Sequence, residues 1–254
     1  MTKRLIIFFV LILILGSIFI KNITKEQPVK FNVNENLSFE NATIYHESVL
    51  SNDHLYPIHR SSNNVWIETK LSRKGRNSMA FQLQPGESRK ETKVLNIPNN
   101  TIKYVAFSVY FPSDYQIPTD WNLFAQWWQG SLASPPVAFQ IDPNSTDFRI
   151  SIVTRDGTSK KFNRICHYNE SINRDEWIDF IIKLRVDDNN GSSGLLKVWK
   201  NNQLIVNYSG ALGYSDLNVN TNFRFGLYRS PNNTSKVEAY YDEILVGEEL
   251  PMRK

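Results

Sequence analysis

The sequence predicts an all-β domain, a two-sheet β-jelly roll of the sandwich class, preceded by a hydrophobic N-terminal helix. Three observations predict it. Short runs of alternating or β-branched and aromatic residues recur along the chain. Asn-, Asp- and Gly-rich turns separate them, and few helical periods of 3.6 interrupt them.

The elements follow in order. Leu5 to Ile20 is apolar apart from Gly16 and Ser17, and Lys3 and Arg4 precede it. A helix rising about 1.5 Å per residue would carry this run roughly 24 Å, close to a bilayer core. Residues 1–20 are therefore expected to be a signal anchor or signal peptide. No Ala-x-Ala site follows them, which favours an uncleaved anchor through residues 5–20 and a domain outside the cytoplasm, membrane-anchored or secreted. Residues 21–40 are polar and Asn-rich, a linker, and residues 41–254 form the β domain. Ten Asn-x-Ser/Thr sites, among them Asn99, Asn144, Asn169, Asn207 and Asn233, suggest an externally facing glycoprotein.

Within the domain, Ile102–Phe111, Phe148–Thr154, Trp177–Val186, Leu195–Trp199, Leu204–Tyr208, Phe223–Tyr228 and Val237–Val246 read as strands. Asn201-Asn202 and Asp187-Asp188-Asn189-Asn190-Gly191 read as hairpin turns. The second turn has oxygen donors for a structural calcium but no later bidentate Glu, so it is taken as an ordinary turn and no cofactor is expected.

The net charge is +4, but the first 26 residues hold four of the cations against Glu26. The remainder is near neutral and has no Lys/Arg-dense stripe, which argues against a nucleic-acid partner. Cys166 is the only cysteine, so no intramolecular disulfide can form, and a domain of about 200 residues can do without one. A monomer is expected.

The chemistry is read from strand parity. In Phe223-Arg224-Phe225-Gly226-Leu227-Tyr228, the cation, the glycine and the phenol share one face and the apolar residues the other. Gly226 is expected to leave a gap across which a polymer can lie. In Leu123–Gln129, Gln126 and Trp128 share a face. Beyond Pro135-Pro136, so do Ala138, Gln140 and Asp142; upstream, Arg89 and Glu91 do.

In order and spacing, from about residue 40 to 248, these segments resemble the polysaccharide lyase superfamily that includes heparin lyase I and glucuronan lyase, and more distantly alginate lyases. Those families carry an Arg-x-Glu strand, a Gln-x-His strand followed by Pro-Pro, and a Lys-x-Gly-x-Tyr strand. The resemblance extends to Trp177-Ile178-Asp179-Phe180, the Val198–Asn202 hairpin and the closing Tyr241–Gly247. It implies a jelly roll whose concave sheet forms a groove for an anionic polysaccharide. It also implies that Arg89, Gln126 and Tyr228 fall on catalytic positions, with Arg224 in place of the Lys.

Such a lyase removes the proton at C5 of a uronate and expels the oxygen at C4, so charge builds on the carboxylate. Arg89 and Gln126 suit that carboxylate, and Tyr228 suits proton transfer. A cation such as Arg224 beside Tyr228 would favour its phenolate form. Trp128 stands where the family has His and cannot accept a proton, so either Tyr228 serves as both base and acid or His167, in the loop Arg164–Tyr168, folds over the groove to take one role. Trp128 is then a stacking platform for a sugar ring. Gln140 and Glu91 join it as substrate contacts, together with His167, which is expected on a loop folding over the groove. His46, His54 and His59 fall in an irregular N-terminal part and are taken as structural or solvated.

Two other classes compete. A non-catalytic glycan-binding domain would keep the groove and lack the acid/base pair. A glycoside hydrolase needs two carboxylates about 5–10 Å apart, and the nearest strand-borne pair, Asp175 and Asp179, reads as a turn and a solvated edge.

Overall fold

The computed structural model describes residues 33–37, 39–40, 42–45, 48–51, 54–59, 63–130, 133–187 and 193–249. The expected N-terminal helix and anchor, His46, and most of the turn proposed for calcium (residues 188–192) lie outside the described residues.

Eighteen strands make two sheets: β1 Val33–Leu37, β2 Thr43–Tyr45, β3 Ser48–Ser51, β4 His54–His59, β5 Val65–Glu68, β6 Ser78–Leu83, β7 Arg89–Ile97, β8 Lys103–Tyr110, β9 Asn122–Trp128, β10 Val137–Ile141, β11 Arg149–Gly157, β12 Phe162–Ser171, β13 Trp177–Arg185, β14 Gly194–Lys200, β15 Gln203–Gly210, β16 Gly213–Tyr214, β17 Thr221–Arg229 and β18 Val237–Gly247. The eight-stranded sheet runs β15-β14-β13-β8-β18-β6-β5, with β1 on β18. The ten-stranded sheet runs β12-β11-β10-β9-β17-β7-β4-β3-β2, with β16 on β11. Non-consecutive neighbours such as β9-β17-β7 are the crossovers a jelly roll requires.

All seven strands expected from alternation are present, with ends moved by a few residues. The inward residues of both sheets meet in one aromatic core. Phe107 packs 5.3 Å from Phe180 and 5.8 Å from Phe223, and Phe81 packs 5.6 Å from Phe225, ring centre to ring centre. Each is fully buried, and burying one such ring contributes about 1.5–3 kcal/mol. Asn201 and Asn202 connect β14 to β15 with φ of 49° and 67°, the left-handed pair that a two-residue hairpin needs.

Three expectations fail here. The N-terminal part is not irregular: His54 and His59 begin and end β4, and β4 pairs with β7. The stretch read as linker contributes β1 and a buried Phe39. Residues 164–168 are not a loop but the middle of β12, paired along β11. Polar side chains outnumber apolar ones on that edge strand, so alternation does not reveal it.

Candidate active site

Pairing across the ten-stranded sheet lines up outward side chains in rows. Val153, Ala138, Gln126, Arg224 and Lys93 form a middle row over β11, β10, β9, β17 and β7. Ser151, Gln140, Leu123, Tyr228 and Arg89 form a second. On the other side of the middle row, Trp128 stands opposite Asn222. A cleft of about 440 Å³ opens over these rows, lined among others by Arg89, Trp121, Gln126, Trp128, Gln140, Arg155 and Tyr228. Leu123, Ala138 and Val153 give it an apolar floor.

Paired irregularities in β9 and β17 shape the site. Phe124 and Ala125 both face the core, so Leu123 and Gln126 both face the cleft. Opposite them, Gly226 has φ +123°, and a Cβ there would lie 2.4 Å from the Lys90 carbonyl oxygen. The glycine is required because β7 backbone occupies the space of a side chain. The expected gap for a polymer is therefore corrected: the missing side chain points at β7, not into the cleft. Beneath, the hydroxyl of Tyr241, from the opposite sheet, lies 2.9 Å from the carbonyl oxygens of both Phe124 and Gly226. That buried phenol pins the two irregularities together.

Glu91 organises the charges. It is fully buried. Its Oε2 accepts the Arg89 Nε–H at 2.6 Å, and its Oε1 accepts the Gln126 Nε2–H at 2.6 Å. A carboxylate only accepts, so it fixes the amide with its nitrogen toward Glu91. Gln126 Oε1 and Arg89 Nη2 are left buried and without partners. Two expectations change. Glu91 lies beneath the cleft and holds its neighbours instead of touching substrate. Gln126 presents an acceptor, which cannot neutralise a carboxylate.

The cation at Tyr228 is Arg89, whose guanidinium carbon is 4.2 Å from the ring centre. Trp121 meets the same ring edge-on at 4.8 Å. Arg224 is near enough to Tyr228 to interact with it electrostatically, as expected, but it stands 4.3 Å over the ring of Trp128 and donates Nε–H to Asn222 Oδ1 at 2.6 Å. Part of the stacking surface expected of Trp128 is thus taken by Arg224. Burial holds the Arg224 guanidinium below its usual value, and the nearby Glu91 opposes that shift. Gln140 donates to Asp142 Oδ1 at 3.3 Å and keeps a position in the cleft wall.

His167 is not at the cleft. It faces the edge of the sandwich interior, with Nε2 2.7 Å from Thr154 Oγ1 and its ring 4.6 Å from Tyr208 of the other sheet. Burial pushes its imidazole below the usual value. Asp179 is on the other sheet, held by Arg73 at 2.9 Å and Ser108 at 2.7 Å. Asp175 occupies a turn at φ 62°, where its carboxylate accepts the Tyr110 hydroxyl and the Ser113 N–H. Asn233 is nearly fully buried and its Oδ1 accepts the Thr119 and Asp120 N–H groups, so that sequon is structural.

Sequence reasoning missed Trp121 and Arg155. For Arg155 a signal existed, because Ser151, Val153 and Arg155 share parity on a strand that runs past Thr154.

A polysaccharide lyase family profile matches residues 37–245. No curated protein sequence matches significantly. Among solved structures, the endo-β-1,4-glucuronan lyase of the fungus Trichoderma reesei superposes with a TM-score of 0.64 at 16% identity, covering 82% of this chain and 96% of that one. Alginate lyase Aly36B superposes at 0.59 with 9% identity, covering 86% and 98%. Alginate lyase A1-II', of polysaccharide lyase family 7, does so at 0.54 with 16% identity, covering 73% and 83%. At these identities the likeness establishes a shared fold, and the profile match carries the assignment: the chain belongs to the polysaccharide lyase family.

Proposed function

We propose that the domain cleaves an anionic, uronate-containing glycan by β-elimination, with Tyr228 moving the protons. The observation that carries this reading is the pair of partnerless buried polar atoms, Arg89 Nη2 and Gln126 Oε1, in the cleft that holds Tyr228. Buried polar atoms are almost always paired, so two beside one aromatic hydroxyl point to a ligand that completes them. Arg89 Nη2 donates to the uronate carboxylate, and Arg224 adds positive charge as the enolate-like state develops. Gln126 Oε1 accepts from a sugar hydroxyl. Tyr228, as phenolate, takes the C5 proton. The electron pair forms the C4–C5 double bond, the C4–O4 bond breaks, and the phenol returns its proton to O4.

Trp128 in the position where the resembled families carry His favours a second reading, a glycan-binding domain without turnover. Incubating residues 30–254 with a panel of uronate polymers separates the two. Growth of the ultraviolet absorbance of an unsaturated uronate supports the lyase; binding with no such product supports the alternative.

Residues 5–20 are proposed to anchor the protein with the β domain outside the cytoplasm, on the strength of an uncharged run that is apolar apart from Gly16 and Ser17. Recovery of the full-length protein wholly in the soluble cytoplasmic fraction would exclude this.

A further inference from the structure

Two arginines of the ten-stranded sheet, Arg229 buried and Arg155 half-buried, are held in different ways. Arg229 donates to three carbonyl oxygens, those of Glu87 at 3.1 Å, Ser235 at 2.6 Å and Gln84 at 2.8 Å. It is a structural cation, tying β17 to the loop before β7. Arg155 has one side-chain hydrogen bond among the described residues, from Nη1 to the Pro135 carbonyl oxygen at 2.7 Å. A guanidinium carries five N–H donors, so most of its capacity is unused. The nearby Arg164 repels it. Among the described residues no carboxylate is within ion-pair distance of it, and burial lowers its proton affinity. A half-buried cation at a cleft wall, with most of its donors unused, is placed to take a carboxylate from a ligand.

Arg155 lines the same cleft as Tyr228 but at its far side. Between β11 and β17 lie β10 and β9, making three inter-strand spacings of about 4.8 Å, roughly 14 Å. One sugar ring cannot place its carboxylate at both Arg89 and Arg155.

We infer that Arg155 is the anchor of a second anion subsite, which takes a carboxylate from a sugar separate from the one that reacts. The inference rests on the cleft being a uronate-polymer site. It implies that chains charged at successive sugars are preferred over chains whose charges have been partly removed.

The test compares the parent with Arg155→Gln and Arg155→Lys on a fully charged polyuronate and on the same polymer with part of its carboxylates reduced to alcohols. Gln keeps a donor for Pro135 and removes the charge; Lys keeps the charge. Loss of a charged hydrogen bond weakens binding by about ten- to a hundredfold. Arg155→Gln is therefore expected to raise KM for the charged polymer by that factor with kcat unchanged. The difference should shrink on the reduced polymer, and Arg155→Lys should recover most of the affinity. An unchanged KM in Arg155→Gln, or a fall in kcat alone, overturns the subsite. If the parent shows no turnover, the lyase reading fails, and tryptophan fluorescence titration with the charged polymer decides the subsite instead. Weakened binding in Arg155→Gln then supports it; equal binding, or none in the parent, overturns it. A thermal melt of each variant separates misfolding from lost binding, and the Lys variant keeps the test open if the Gln variant is unstable.

Discussion

The outer faces of the two sheets are finished differently. On the eight-stranded sheet, polar groups satisfy one another. Asp179 takes Arg73 and Ser108, Asp242 takes the N–H groups of Arg73 and Lys74, Gln82 donates to Glu238, and Lys103 pairs with Glu248. On the ten-stranded sheet, arginines lie over aromatic rings and polar atoms stay open. Two partnerless buried side-chain atoms, Arg89 Nη2 and Gln126 Oε1, belong to residues lining the cleft, on the strands that flank β17. The same β architecture thus carries one face closed for solvent and one left open. Unsatisfied polar atoms cost stability, so the two at the cleft are informative about where a ligand goes.

The sharpest way to break this contrast is Tyr228→Phe, which leaves the ring against Trp121 and Arg89 and removes only the hydroxyl. If the open face is catalytic, kcat falls by about 10²- to 10⁴-fold while the melting temperature and polymer affinity stay near those of the parent. Equal turnover in both proteins would remove Tyr228 from the mechanism.

Glu91→Gln should have the next largest effect. It removes the charge that holds Arg89 and frees the Gln126 amide to turn. A loss of about 2 kcal/mol in urea unfolding is expected, together with at least a tenfold fall in kcat/KM. A stability loss with unchanged kinetics would show that Glu91 only supports the fold.

Tyr241→Phe tests whether the twin irregularity under the site must be pinned. Two buried carbonyls lose their shared donor, which should cost about 1–2 kcal/mol and lower Tm by a few degrees for a domain of this size. The closed face supplies the smallest effects. Arg73 is nearly half exposed, so Asp179→Asn should change stability by less than about 1 kcal/mol and leave turnover untouched.

Asp242, on the same face, adds a pH signature. Burial raises its carboxyl from 3.8 to about 6, against the pull of three backbone N–H groups. The folded form therefore holds this proton more tightly than the open chain. Its contribution is fully present below 3.8 and is lost as pH rises through about 6. Asp242→Asn should flatten the pH dependence of Tm across that window; an identical slope in both proteins would rule the group out.

Much of this was legible in the chain. Parity alone placed Gln126, Trp128, Arg224 and Tyr228 outward and Phe223, Phe225 and Leu227 inward, because a strand's period of two is a local property of the backbone. The motif order of the Arg89, Gln126 and Tyr228 segments pointed to the family that the profile match establishes. What tertiary structure alone decided depends on pairing between strands distant in sequence. Gln126 meets a carboxylate 35 residues away, and Gly226 is a glycine because β7 passes within 2.4 Å of its absent side chain. His167 turned inward because a register shift along β12 set its face, which no loop reading could reveal. Alternation states which residues share a face; only register and bulges decide which of them meet, since those arise where one strand is fitted against another.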